Sequence, residues 1–180
     1  MIRWMAPQTN TSGARSHPAG FTLIELVIVV LVLAIAAALA VPMIGNTAPT
    51  KLKAAASILA ADLAYAQIES IAHGDDRRLL VLDNPSDTYH IAAVSDPDSP
   101  ITHPITKQPY LIDYGSGQAE SLVGVTIDSY SLNGDDQLGF DIYGSLDQPT
   151  DATITLGCDG LTVTITADAN TGETVIGGIN

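Results

Sequence analysis

From Phe21 to Val41 the chain carries one charged side chain, Glu25, in an otherwise unbroken apolar series dominated by Leu, Ile, Val and Ala. A helix of about 20 such residues spans roughly 30 Å, the thickness of a hydrocarbon core. Residues 21–41 are therefore predicted to cross a membrane, and the remainder of the chain is expected to be a soluble domain held by that anchor. A secretory signal peptide is the competing reading, but its apolar region is only about 7–15 residues long and ends at a small-residue cleavage site. The run here is longer and has an acid near its start.

Glu25 needs a physical reason to be there. A carboxylate inside a spanning segment costs on the order of 2–3 kcal/mol even on lenient insertion scales, so such a group usually has a partner and a role. Were the chain cut between Gly20 and Phe21, the new α-amino group would lie one helical turn from Glu25, or would meet Glu25 of a neighbouring copy. In low dielectric that attraction is strong enough to set an axial register between subunits, with desolvation opposing it. The alternative is an interfacial Glu that stays among the head groups.

Gly20-Phe21-Thr22-Leu23-Ile24-Glu25, followed by the apolar run and Pro42, resembles the processing site of type IV prepilins and of the pseudopilins of type II secretion. The resemblance implies that a prepilin peptidase cuts after Gly20 and methylates the amine of Phe21. It also implies that Glu25 serves filament assembly and that Pro42 kinks the helix. Residues 1–20 would then be a cleaved leader. They contain Arg3, Arg15 and His17 with no acid, which places them on the cytoplasmic side by the positive-inside rule.

The rest of the chain is the size of one domain. Formal net charge is −13, and loss of Arg3 and Arg15 with the leader makes it −15. Such a surface repels phosphate backbones, and residues 108–180 contain no Lys or Arg, so no nucleic-acid partner is expected. Cys158 is the single cysteine, read as a small buried residue of a strand.

Pro42, Gly45 and Pro49 loosen or kink the helix after the anchor. A helical pattern runs from about Lys51 to His73 with two apolar stripes. Leu52, Ala56, Leu59, Leu63 and Ala66 form one stripe; Ala54, Ile58, Ala61, Tyr65, Ile68 and Ala72 form the other. One stripe is expected to face the domain's own sheet and the other neighbouring helices of a filament, unless both are buried on one broad face. Gly74 supplies the stop, so residues 42–74 are taken as the amphipathic helix and 75–180 as a periplasmic β domain.

Strands are predicted at Arg77–Asp83 and Thr88–Val94, paired through a turn at 84–87, and at Val123–Tyr130, Leu138–Ile142, Ala152–Leu156, Leu161–Ala167 and Glu173–Ile176. Asp159-Gly160 is the strongest hairpin signal. Ser95–Pro109, with four prolines, is a loop with at most edge-strand character. The fold class is α+β: a long N-terminal membrane-spanning helix continuing into a helix packed on an antiparallel β domain, in the manner of pilins.

The stretch Ala66-Gln67-Ile68-Glu69-Ser70-Ile71, the strand after it, and the pair Leu138-Gly139-Phe140-Asp141 and Thr171-Gly172-Glu173-Thr174 are similar to the minor pseudopilin H subgroup and related minor pilins. Gln67 stands where that subgroup commonly has a basic residue, and Glu173 where it commonly has an arginine. The likeness implies a minor pseudopilin at or near the tip of the periplasmic pseudopilus of a type II secretion system. The alternative is a minor type IV pilin of a surface fibre for adhesion, motility or DNA uptake. Partners would be the prepilin peptidase, other pseudopilins or pilins and the inner membrane. The location would be a single pass through the inner membrane, with the C-terminal domain in the periplasm or in a filament.

Asp96-Pro97-Asp98 and Asn133-Gly134-Asp135-Asp136 offer oxygen ligands for Ca²⁺ but lack the full ligand alternation and the closing Glu of a calcium loop, so both are read as solvated turns. The four histidines have no metal-ligand spacing. No cofactor or metal is expected, and no nucleophile, phosphate loop or carboxylate pair argues for an enzyme.

Overall fold

The computed structural model describes residues 20–40 and 47–180. Residues 1–19 of the expected leader and Pro42 lie outside the described residues. The described chain forms two compact units, one on each side of the boundary between Gly45 and Asn46.

The N-terminal unit contains helix α1 (Leu23–Ala40), whose 18 residues rise about 27 Å. Among the described residues no helix is long and apolar enough to cross a membrane. The apolar sequence runs on to Val41, beyond the described end of α1.

The second unit opens with α2 (Ala48–His73), with Pro49 in its first turn, where a missing N–H costs nothing. The helix stops at Gly74, whose φ is +21°. Its two apolar stripes part company. Leu52, Ala56, Leu59, Leu63 and Ala66 are buried, whereas Ala54, Ala61, Ile68 and Ala72 are exposed and Ile58 and Tyr65 half-buried. A single broad buried face is therefore not what forms; Ile58 and Tyr65 of the second stripe pack partly against the core and the rest of that stripe stays open.

Behind α2 stand two antiparallel sheets. The first contains β1 (Arg78–Asp83), β2 (Thr88–Ala93), β3 (Asp96–Pro100), β4 (Leu111–Asp113) and β6 (Gln137–Gly139), ordered β3-β2-β1-β6 with β4 also on β2. The second contains β5 (Thr126–Ser131), β7 (Ala152–Cys158), β8 (Leu161–Ala167) and β9 (Thr174–Ile179), ordered β5-β7-β8-β9. Alternation sets which side of the second sheet is wet: Ile154, Leu156, Val163 and Ile165 enter the core, while the hydroxyls of Thr155 and Thr164 meet at 3.1 Å on the other side. Cys158 is buried among them. The β7–β8 connection is the Asp159-Gly160 turn, both residues at positive φ (51° and 80°), which suits a two-residue hairpin.

Several strand limits differ from expectation, each for a local reason. β5 begins at Thr126, because Gly124 at φ +90° turns the chain after Val123. β6 ends at Gly139, since Asp141 folds the next residues into a turn by accepting from the backbone N–H groups of Tyr143 and Ser145. β9 runs on through Gly177 and Gly178 to Ile179. β4 had no sequence counterpart: three residues are too few to show a period. β3 takes the edge-strand character its prolines allow.

Candidate functional site

At the start of α1, Thr22 and Glu25 stand in the spacing of a capping box. Thr22 Oγ1 accepts from the Glu25 backbone N–H at 3.2 Å, so Thr22 caps the helix and Glu25 sits in its first turn, where the helix dipole favours an acid. Phe21, Glu25, Leu26, Val29 and Val30 share one face. Among the described residues nothing lies within 4 Å of where a Gly20 Cβ would sit, and Phe21 is exposed. The T-x-x-E spacing was a signal available in the sequence.

A second site lies inside the domain. Asp62 is on the buried face of α2, between Leu59 and Leu63, and is 8 % exposed. Its carboxylate accepts from the Tyr89 hydroxyl and from the Tyr110 hydroxyl, each at 2.8 Å. Tyr114 meets Tyr89 edge-on with ring centroids 5.9 Å apart, Tyr65 stacks on Tyr110 at 5.4 Å, and His103 lies against Tyr110 at 4.5 Å. Burial raises the Asp62 pKa, and it outweighs the opposing pull of the two phenol donors and of His103. Burial also raises the phenols of Tyr89, Tyr110 and Tyr114, with the Asp62 charge adding to each. The result is a polar clamp tying α2 to β2 and to the segment entering β4.

The third arrangement gathers the four stretches that the sequence analysis set beside minor pseudopilins and minor pilins. Gln67 Nε2 donates to the Gly144 and Thr171 carbonyls, both at 2.8 Å, so one α2 side chain pins two loops. Ser70 Oγ donates to the Arg78 carbonyl and accepts from the Arg78 N–H, fixing the start of β1. Each loop is braced by its own acid. Asp141 holds the first through the Tyr143 and Ser145 N–H groups; Asp168 holds the second by accepting from those of Asn170 and Thr171, which lowers its pKa. Ser145 Oγ donates to the Asn170 carbonyl at 2.6 Å and joins the loops directly.

Gly172 is required at this junction. Its φ is +66°, and a Cβ there would run into the Gly144 carbonyl and the Gln67 amide. Gly172→Ala is expected to cost about 1–3 kcal/mol, read as a fall in thermal midpoint. Gly178→Ala, with nothing near its Cβ and no positive φ, is expected to stay within about 0.5 kcal/mol.

Asp96 and Asp98 lie on β3 at a sheet edge, and Asn133 to Asp136 form the turn before β6. Among the described residues no group of three or more His, Cys, Asp or Glu is placed to hold a metal ion.

Residues 15–41 match the family described as the prokaryotic N-terminal methylation motif. No curated protein matches the chain. Among solved structures, the type IV minor pilin FimU of Pseudomonas aeruginosa strain PAO1 superposes with a TM-score of 0.51 at 18 % identity, over 72 % of this chain and 90 % of FimU. A second crystal form of FimU gives 0.49 at 19 % identity, over 71 % and 93 %. The chain thus carries the N-terminal methylation motif at residues 15–41 and, after it, a domain similar in fold to a type IV minor pilin.

Proposed function

We propose that this chain is a minor subunit of an inner-membrane-anchored filament of the type IV pilin class, matured by cleavage between Gly20 and Phe21 and methylation of Phe21. The observation that carries the reading is the coincidence of the methylation motif with a helix-on-sheets domain that leaves most of one apolar stripe of α2 open. Assembly is the mechanism. The segment from Phe21 to Val41 holds the subunit in the membrane before incorporation, Glu25 sets the register against a neighbour's amine, and the open stripe meets adjacent helices.

Two machines would use such a subunit. The stretches around Gln67 resemble minor pseudopilin H, which supports a place near the tip of a type II secretion pseudopilus. The similarity in fold to FimU, a type IV minor pilin, favours a surface fibre instead. Deleting the gene and scoring released proteins beside surface fibres separates the two. Exported enzymes trapped in the periplasm with normal fibres support the pseudopilin; altered fibres with normal secretion support the minor pilin. An unchanged phenotype on both counts, with the protein absent from isolated filaments, contradicts the filament reading.

A further inference from the structure

Tyr143 is 83 % exposed, yet it sits on a turn held by several hydrogen bonds. Asp141 Oδ1 accepts the Tyr143 N–H at 2.7 Å and the Ser145 N–H at 3.0 Å, and the Asp141 N–H donates to the Ser145 carbonyl at 2.8 Å. From outside the turn Gln67 holds the Gly144 carbonyl, and Ser145 ties the turn to the neighbouring loop. Beside it, Ile142 is 48 % and Ile71 51 % exposed, and a Cβ on Gly144 would lie only 3.1 Å from Ile71 Cδ1, so helix and turn form one apolar surface. A large aromatic carried on a braced backbone turn has only its own two side-chain torsions to order on burial, which is the character of an interface anchor.

The surroundings select the partner. Asp141 lies in the turn, and Asp168 and Glu173 lie in the loop that Ser145 joins to it, while Arg77 reaches the same edge to donate to the Phe140 carbonyl at 3.3 Å. The side chains of the chain after leader removal sum to −15, so a second copy brought against this surface meets like charge. Anionic head groups and nucleic acid are disfavoured for the same reason.

We propose that the Ile71, Ile142 and Tyr143 surface docks a different protein subunit, one presenting an apolar pocket for Tyr143 with a Lys- or Arg-rich rim. The proposal deepens the filament reading and rests on it for the presence of a neighbouring subunit.

Photocrosslinking of the full chain in its native cells tests it, with a benzophenone side chain placed in turn at Tyr143, at Ile142 and, on the open face of α2, at Ala61. The Tyr143 position is expected to capture one other protein, through a contact peptide that combines apolar residues with Lys or Arg. The yield of that adduct from Ile142 is expected to fall at least about tenfold when Tyr143→Ala is added. That substitution is expected to leave thermal unfolding unchanged. Adducts with a second copy, with lipid, with nucleic acid or with an acidic peptide overturn the proposal, as does no adduct at all. Ala61 reports on the filament separately: its adducts with pilin-like subunits, without any from Tyr143, keep the assembly and discard this surface. Loss of both discards both.

Discussion

Asp62→Ala is expected to lower the unfolding free energy of the domain by about 2–4 kcal/mol, because it strands the hydroxyls of Tyr89 and Tyr110 in the interior. Tyr89 is fully buried and Tyr110 nearly so, which leaves little water to replace the lost acceptor. Asp62→Asn keeps the shape and an amide that can meet both phenols, and is expected to be much milder. The pair also isolates a pH effect. Burial holds the Asp62 pKa above 3.8, so the native state binds this proton more tightly than the unfolded chain. The cost of the ionised group is fully present above its raised folded pKa. It declines as the pH falls toward 3.8, so Asp62 makes the wild-type domain relatively more stable on acidification across that window. Urea unfolding of wild type and Asp62→Asn from neutral pH downward is expected to show this gain in the wild type alone. Below the window, protonation of Asp168 removes stability in both, since its pKa is lowered by its loop N–H donors.

Glu25→Ala is expected to leave that domain folded, because among the described residues the core begins at Ala48. Incorporation into filaments is expected to fall at least about tenfold, equivalent to about 1.4 kcal/mol per subunit contact. Glu25→Gln distinguishes the two roles that the geometry allows. Glutamine still serves a capping box with Thr22 but carries no charge. If the charge sets the register, Glu25→Gln assembles as poorly as Glu25→Ala; if a polar side chain of that length in the first turn suffices, glutamine restores assembly. Quantifying the subunit in sheared filaments against the total membrane pool reads both variants.

What the sequence revealed depended on how far each signal extends along the chain. The buried stripe of α2 was legible because Leu52, Ala56, Leu59, Leu63 and Ala66 repeat one helical period over several turns. The β7–β8 hairpin was legible because Thr alternates with Ile, Leu and Val on both sides of Asp159-Gly160. β4 was not, as its three residues come after a proline-rich stretch and are recruited by β2. The Asp62 clamp escaped for a related reason: its partners Tyr89 and Tyr110 are brought together only by the sheet. A trace existed, since an acid three residues after Leu59 and four before Ala66 falls on the buried side of the helix. Gln67 departs from the basic residue common in the pseudopilin H subgroup, and the fold supplies a physical role for the amide, which donates to two carbonyls at once. The Thr22 cap on the Glu25 N–H is written in the same residues as the processing motif, so one short stretch carries a local backbone signal beneath the family one.

The most direct measurement is the intact mass of the native protein from cells with and without the prepilin peptidase. With the peptidase, a chain beginning at Phe21 with a methylated amine is expected; without it, residues 1–20 remain attached. Retention of residues 1–20 in the presence of an active peptidase would contradict the assignment of this chain as a processed filament subunit.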